Sequence, residues 1–420
     1  MIPVGEALDL ILGEVKPLGQ ERVPLLSSLG RVLAEDITAT ISNPPLDNSA
    51  MDGYAVRAGD TAGAADGQPV SLKVIADLPA GNILREKIGT GEAVRIMTGA
   101  PVPDGADTVV MVEYTERAES GGEKSVRIAK EASPGDNIRR AGEDFKVGDA
   151  VIKKGRIIRS AEVAMMAATG KPFVTVYQRP RVAVLSTGDE LVDIYETPTD
   201  GRIINSNSYT ISAQLLECGC EALQLGIARD RREDLEEKMR SGLNSDAIIS
   251  SGGVSVGDFD LVKEVLRDMG SEMHFWKVAM KPGKPLAFGT IGGKPAFGLP
   301  GNPISSMVSF EQFVRPALLR MAGRRDIFKR SITATLTKDV KKKAGRVNFV
   351  RAILEPSGNG FRVTPLEGQG SGIISSMVKA NALILLPLKE TSFSEGQVIN
   401  VHPLDESLLY SDSPSDELIS

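Results

Sequence analysis

Carboxylates, lysines and glycines, rather than histidines or cysteines, carry the chemistry legible in this sequence. His274 and His402 are the only histidines. A multi-histidine metal centre is therefore excluded within one chain, and a Ser-His-Asp triad would have to recruit one of these two. Cys218 and Cys220, separated by a single glycine, give no disulfide framework and favour a reducing, cytoplasmic setting. Their expected role is packing at a helix end. His274 and Trp276 sit in an apolar run and read as core or near-core residues. What remains for chemistry is acids, lysines, backbone amides and a hard cation, a set suited to phosphate or oxyanion handling.

These residues gather where short apolar runs end. RVAVLST (181–187) closes on Ser186 and Thr187 and is followed by Gly188, Asp189 and Glu190. ALQLGIA leads to Arg229 and Asp230. DAIIS leads to Ser251, Gly252, Gly253, Val254, Ser255, Val256 and Gly257, then Asp258 and Asp260. WKVA, read as a strand, leads to Lys281-Pro282-Gly283-Lys284-Pro285, and the AFGL run to Pro300-Gly301-Asn302-Pro303. In open α/β sheets ligands bind beyond the carboxyl ends of the strands. The glycines permit close backbone approach and an amide concavity for an anion, best placed at Ser251–Gly257 ahead of a helix. Alone, that segment reads equally well as a tight strand-to-helix turn; four other loaded strand ends favour a ligand.

Glu190, Asp230 and Asp260 would share that edge. Two like charges ~4 Å apart repel by about 4 kcal/mol at an effective dielectric of ~20, so such a cluster calls for a cation, a proton or nearby lysines. Oxygen ligands beside a phosphate suit Mg²⁺. For Asp230 an N-cap of the helix REDLEEKM is an equal alternative, and for Asp260 a first-turn acid. Lys277, Lys281 and Lys284 would neutralise phosphate or a molybdate-like oxyanion; a solvated surface run of lysines is the alternative, disfavoured by the two prolines that stiffen the loop around Gly283.

The elements that must hold these groups follow from periodicity. Strand runs alternating with the helical stretches NSYTISAQLLECG, REDLEEKMRSG and FDLVKEVLRDMG imply right-handed crossovers and a mostly parallel, doubly wound sheet. A helix over 303–321, with Ile304, Met307, Val308, Val314 and Leu318 inward, closes this unit. Val4, Ala7, Leu8, Ile11, Leu12 and Val15 predict an amphipathic helix near the start. Between 43 and 142 the texture is rich in glycine, proline and alternating runs, a β-domain with turns at Pro79–Gly81 and Gly121–Gly122. Ser160 reads as the cap of AEVAMMAA, with Gly170 past its end. Beyond 330 the pattern is all-β, a small barrel or sandwich, and the tail from Ser411 is polar and expected to be disordered.

Bulk properties agree. The 420 residues carry a net charge of −6 and a pI near 5.4, which argues against nucleic acid as main partner. No apolar run reaches the ~20 residues of a spanning helix, and Glu6, Asp9 and Glu14 break the amino-terminal apolar run, so neither membrane insertion nor a signal peptide is expected. At 41% apolar residues the chain can build several cores.

Seven ordered motifs sharpen the reading. DNSAMDGYAV (47–56), RIMTGAP (95–101), RRAGED (139–144), STGDEL (186–191), SSGGVSVGDFD (250–260), KVAMKPGKP (277–285) and GLPGNPISS (298–306) resemble the molybdopterin molybdenumtransferase, or MoeA, family, related to the gephyrin E domain. The resemblance spans nearly the whole chain. It implies an elongated amino-terminal domain of residues 1–43 and 143–178, an inserted β-rich domain at 44–142, a molybdopterin-binding α/β domain at 179–328 and a β-barrel domain at 329–410. It also implies a cytoplasmic, Mg²⁺-assisted enzyme that inserts molybdate into adenylylated molybdopterin and releases AMP. The implied assembly is a homodimer whose inserted domain approaches the α/β crevice of the other subunit, with transient contact to a molybdopterin adenylyltransferase.

By the same resemblance Asp52, Thr98 and Asp144 belong to the inserted-domain side of the site, and Glu190, Asp230 and Asp260 to its metal-bearing α/β side. Lys277 and Lys281 correspond to anion-binding lysines and Pro300 and Pro303 to site-shaping prolines. Arg351 and Ser371 match positions of the carboxyl-terminal domain near the cleft. Two other readings share part of this pattern. One is a molybdopterin adenylyltransferase, which would consume ATP; the other is a scaffold whose cleft binds a peptide, against which the intact acids and the lack of a long added linker speak.

Overall fold

The computed structural model describes residues 1–199, 201–253, 259–358, 360–404, 406 and 410, with Phe259, Asp260 and Lys263 described by backbone alone. Ser255, Gly257 and the tail from Ser411 lie outside the described residues. The chain divides into two units. The larger holds Met1–Arg22, Gly30–Ala34 and the chain from Thr175; the smaller holds Val23–Leu29 and Glu35–Val174. Helix α1 (Val4–Glu14) belongs to the larger unit and buries Ala7 and Ile11 completely, as its spacing predicts.

The smaller unit is built on β1 (Gly53–Val56), β2 (Val70–Leu78), β3 (Glu92–Ile96), β4 (Thr108–Met111), β5 (Thr115–Ser120) and β6 (Glu123–Ile128), ordered β4-β1-β3-β2-β6-β5. Only the β2–β3 pair is parallel among these. Both faces are buried at the central strand β1, while β5 at the edge is mostly exposed. Along β1, Tyr54 and Val56 enter one core and Ala55 the other, the alternation a strand imposes. Gly121 and Gly122, both at positive φ, make the β5–β6 turn foreseen from the sequence. Helix α2 (Ser160–Ala168) starts differently from expectation. Arg159 is its N-cap and Ser160 its first helical residue. The Glu162 carboxylate accepts from the Arg159 backbone N–H (3.0 Å) and from the Arg156 and Arg159 guanidiniums, supplanting the serine cap.

In the larger unit β7 (Arg181–Thr187), α3 (Ser206–Glu217), β8 (Glu221–Ala228), α4 (Arg232–Gly242), β9 (Ala247–Ser251) and α5 (Phe259–Asp268) lead to β10 (Glu272–Phe275). Then follow β11 (Met280–Lys281), β12 (Ala287–Ile291), β13 (Lys294–Leu299), α6 (Pro303–Ser309) and α7 (Arg315–Met321). Six strands form one sheet, β8-β7-β9-β13-β12-β10, in which β8, β7, β9 and β13 pair in parallel and β12 runs against both of its neighbours. Val182 and Val184 face a core shared with α1, α3 and α6; Ala183 and Leu185 face one shared with α4 and α5. A strand covered on both faces has no polar alternation, hence the unbroken apolar run RVAVL.

Two expectations need correction. WKVA is not a strand of this sheet: β10 stops at Phe275, and the chain continues to β11, which pairs in parallel with the barrel strand beginning at Val347. The helix over 303–321 is interrupted by a π turn at Phe310–Val314, where the Arg315 N–H reaches back to the Phe310 carbonyl just before Pro316.

Strands β14 (Ile332–Leu336), β15 (Val347–Ser357), β16 (Gly360–Pro365), β17 (Ala382–Leu386) and β18 (Val398–Pro403) close on themselves in the ring β15-β16-β14-β18-β17-β15. The carboxyl-terminal domain is thus a five-stranded barrel, with Leu336, Leu354, Val363, Ile384 and Val401 inside.

Candidate active site

Strand β7 connects through α3 to one side of the sheet, while β9 leads to the other side, and α3 and α5 cover opposite faces. The carboxyl ends of β7 and β9 therefore flank a topological switch point, where a doubly wound sheet opens a crevice. A cleft of about 380 Å³ lies there. Its wall includes ten residues expected from the sequence: Ser186, Thr187, Glu190, Ser251, Gly252, Gly253, Pro300, Gly301, Asn302 and Pro303. Gly252 (φ +91°) shows why the turn is glycine. A Cβ there would stand 2.6 Å from the Thr187 carbonyl oxygen, a backbone atom that cannot step aside. Gly301 passes so near that its own Cβ would lie 3.8 Å from the Gly252 Cα.

Side chains of α3 knit these ends together, and sequence reading missed them. Asn205 caps α3, accepting from the Ser208 N–H (3.3 Å) and from the Ser186 hydroxyl (2.9 Å). Asn207 Nδ2 donates to Ser251 Oγ (2.8 Å) and to the Gly301 carbonyl (2.7 Å), tying the β9 end to the PGNP turn. Asn205, Ser206 and Asn207 all line the cleft. The available signal was the triplet Asn205-Ser206-Asn207 at the start of the helical stretch NSYTISAQLLECG; the helical period predicted the helix and neither its cap nor its place in the wall.

The acids behave differently from one another. Glu190 is exposed at the cleft, its carboxylate folded against Gly188 (φ +141°) so closely that a Cβ there would lie 2.4 Å from Oε2. Asp230 is not the N-cap of α4, a position held by Arg231 without a side-chain bond. Instead Asp230 and Asp189 exchange bonds: Asp230 Oδ2 accepts from the Asp189 N–H (3.3 Å) and Asp189 Oδ1 from the Asp230 N–H (3.2 Å). Arg229 braces the same loops by donating to the Asp189 and Leu191 carbonyls. Among the described residues no group of three or more His, Cys, Asp or Glu is arranged to hold a metal; the Asp260 side chain lies outside them. Glu190, open on the cleft, fits the pattern of Mg²⁺ held by one or two carboxylates with substrate oxygens.

A second cleft, about 730 Å³, shares Pro285 with the first and runs between the sheet and the barrel. Lys281, Lys284, Ser305, Lys341, Arg346 and Ser371 line it. Behind its Gln369–Ser371 wall lies Arg351, 1% exposed. Nη2 donates to the Gly368 and Gly370 carbonyls (3.1 Å each), while Nε and Nη1 are buried without a partner, and no acid among the described residues pairs with the guanidinium. Burial presses its pKa downward. The Ser371 carbonyl accepts from the Ile304 N–H (3.1 Å), so the first turn of α6 is tied to this barrel loop. Lys277 stands apart: it is exposed, lines neither cleft, and its carbonyl accepts from the Ile2 N–H.

In the smaller unit Asp52 and Thr98 meet. Asp52 Oδ1 accepts from the Thr98 N–H (2.7 Å) and hydroxyl (2.8 Å), which lowers the carboxyl pKa. Asp144 instead accepts from the Asn43 side chain (3.0 Å). Cys220 is buried and Cys218 half-buried; burial raises both thiols, Cys218 to about 11, in keeping with packing. His274 stacks on Phe288 with ring centroids 5.5 Å apart, near-core as expected.

A doubly wound sheet with a polar switch-point cleft, joined to a barrel that supplies a buried guanidinium, defines a class of molybdopterin-binding α/β proteins. Residues 183–320 match the family description "Probable molybdopterin binding domain", residues 2–170 the "MoeA N-terminal region (domain I and II)" and 333–404 the "MoeA C-terminal region (domain IV)". Curated relatives named molybdopterin molybdenumtransferase include that of Staphylococcus aureus (strain COL), 38% identical with 100% of this chain and 98% of the relative covered. Those of Haemophilus influenzae and Bacillus subtilis are each 36% identical, covering 97% and 95% of this chain and 100% and 93% of their own lengths. The crystal structure of a molybdopterin biosynthesis MoeA protein from Pyrococcus horikoshii superposes with a TM-score of 0.80 at 31% identity, covering 96% of this chain and all of the other. The chain belongs to the molybdopterin molybdenumtransferase (MoeA) family and is a transferase. Among the described residues no helix is long and apolar enough to cross a membrane.

Proposed function

We propose that this chain transfers molybdenum from molybdate to adenylylated molybdopterin and releases AMP, working in the cytoplasm as a homodimer. The observation that carries this reading is Arg351: a buried cation with two unpartnered donor nitrogens and no acid partner among the described residues, behind the Gln369–Ser371 wall of the cleft that Lys281, Lys284 and Ser371 line. A buried charge without compensation is costly, so the site is incomplete until an anion arrives. Molybdate carries two negative charges and no bulk, which suits that cleft, while the adjoining switch-point cleft has the amides and hydroxyls for a phosphorylated heterocycle.

In this reading Glu190 would hold Mg²⁺, with Asp230 and Asp260 as further candidate ligands, and the ion would supply charge neutralisation at the pyrophosphate as AMP leaves. Ser186, Gly188 and Ser251–Gly253, extended by Ser255 and Gly257, receive the phosphate end; Pro300 to Pro303 shape the opposite wall. Lys281, Lys284 and Ser371 line the cleft that would hold the oxyanion, with Arg351 adding positive charge from behind its wall. Lys277 enters the proposal from family resemblance alone. Asp52, Thr98 and Asp144 of a second copy would act at this cleft. Transient contact with a molybdopterin adenylyltransferase would deliver the substrate. The test is AMP release from adenylylated molybdopterin with and without molybdate. Lys281→Ala should lower the molybdate-dependent rate at least ~100-fold, the scale of losing one electrostatic stabiliser. ATP consumption with molybdopterin would instead support an adenylyltransferase.

A further inference from the structure

We propose that Gln369 is a positioning residue for the oxyanion: its side-chain amide, bonded to the backbone N–H and carbonyl of Arg351, holds the Gly368–Ser371 loop over the guanidinium and so sets the affinity for molybdate. Strand β16 ends at Pro365, opposite Ala352 of β15. The chain then turns away through Gly368 (φ +74°), and Gln369 reaches back. Its Oε1 accepts from the Arg351 N–H (3.1 Å), while Nε2 donates to the Arg351 carbonyl (2.9 Å) and the Leu366 carbonyl (2.8 Å). An N–H can only donate and carbonyls can only accept, so the amide has one orientation. It makes with Arg351 the pair of bonds that two residues exchange in an antiparallel ladder. Both Nε2 protons are spent in this way, and Gln369 has no donor left for an anion. It acts through the loop and not by contact.

The guanidinium of Arg351 grips the same loop. Its Nη2 donates to the carbonyls of Gly368 and Gly370, the two neighbours of Gln369. Three consecutive loop residues are thus held by one strand residue, and the next, Ser371, accepts from the Ile304 N–H of α6. Gln369 is itself an exposed residue. Ordering a long exposed side chain costs conformational entropy, and a fixed loop is what that cost secures. Without the amide, the Arg351 N–H loses its partner and the loop rests on Nη2 and Ile304 alone. The inference rests on the reading that this cleft holds molybdate. An anion bound by groups already in place forfeits less than one that must order its own wall, so a loosened loop weakens binding.

Molybdate-dependent AMP release and calorimetric titration of sodium molybdate into the full chain test this. Gln369→Ala should raise both the KM and the Kd for molybdate roughly ten-fold, the scale of one or two lost hydrogen bonds. It should leave kcat at saturating molybdate, and the KM for adenylylated molybdopterin, within about two-fold. Gln369→Met, which keeps the side chain's length without its hydrogen bonds, should behave alike. A residue needed only for folding would instead lower kcat, raise both KM values and depress the thermal midpoint together. That pattern, or molybdate constants within about two-fold of wild type, would overturn the proposal and leave the molybdate reading of the cleft in place. If the wild type binds no molybdate, that reading falls and the proposal with it. Hydrogen exchange on the wild-type chain decides the matter even if both variants fail to fold. Bound molybdate should slow exchange roughly ten-fold in the peptides that carry the Arg351 and Leu366 N–H groups, because it favours the closed loop. Exchange unchanged there with molybdate bound would overturn the proposal.

Discussion

Individual side chains in this protein divide by whether their bonds are already made. Glu162 is fully engaged, accepting from Arg156, Arg159 and the Arg159 backbone, which holds its carboxyl at about 2, far below the usual 4.5. Because the folded value is the lower one, its contribution is complete above pH 4.5 and is lost as pH falls through about 2. Glu162→Gln should cost about 1–3 kcal/mol at pH 7, with the gap to wild type narrowing in urea melts taken between pH 4.5 and 2. Arg351 and Asn207 lie at the other pole, each with buried polar atoms that have no hydrogen-bond partner among the described residues. Asn207→Ala should lower stability by about 1–3 kcal/mol, since the Gly301 carbonyl and Ser251 lose their donor. Types and spacing made the acids, lysines and glycines visible in the sequence. They did not show which were spoken for: Asp230 looked like a cap or a metal ligand, and its bonds turn out to include one that pins Asp189 across 41 positions of sequence.

At the scale of elements, legibility followed burial. RVAVLST and DAIIS are covered on both faces, so their apolar runs read directly as strands. WKVA misled because it too is apolar, but its residues serve a crossing between two domains, with Ala279 accepting from the barrel's Val347. The helix over 303–321 was legible from its period, whereas the π turn at Phe310–Val314 has no periodic signature beyond the nearby Pro316. The β9 turn is the element on which the site geometry depends. Gly252→Ala forces a Cβ against the Thr187 carbonyl at positive φ, a strain of about 1–3 kcal/mol. It should lower the thermal midpoint and abolish ligand affinity at the cleft, as checked by scanning calorimetry and AMP titration.

For the whole molecule, the five-stranded closure of the barrel and the order of the α/β sheet could not be read from composition, because strand order depends on crossovers and not on the strands' own sequences. The seven motifs nevertheless pointed to the family that full-length relatives at 36–38% identity bear out. If the site needs two copies of the chain, Asp52→Ala and Lys281→Ala should each be inactive alone. Mixed and re-equilibrated in equal amounts they should recover about a quarter of wild-type activity, since half the dimers would be mixed and each would hold one intact site of two. The most direct measurement of the central claim is AMP release from adenylylated molybdopterin by the purified chain, followed against molybdate concentration for wild type, Glu190→Ala and Lys281→Ala. Release that requires molybdate in the wild type and disappears in both variants, with thermal midpoints unchanged, is the predicted result. Release indifferent to molybdate, or undiminished in the variants, would contradict the account.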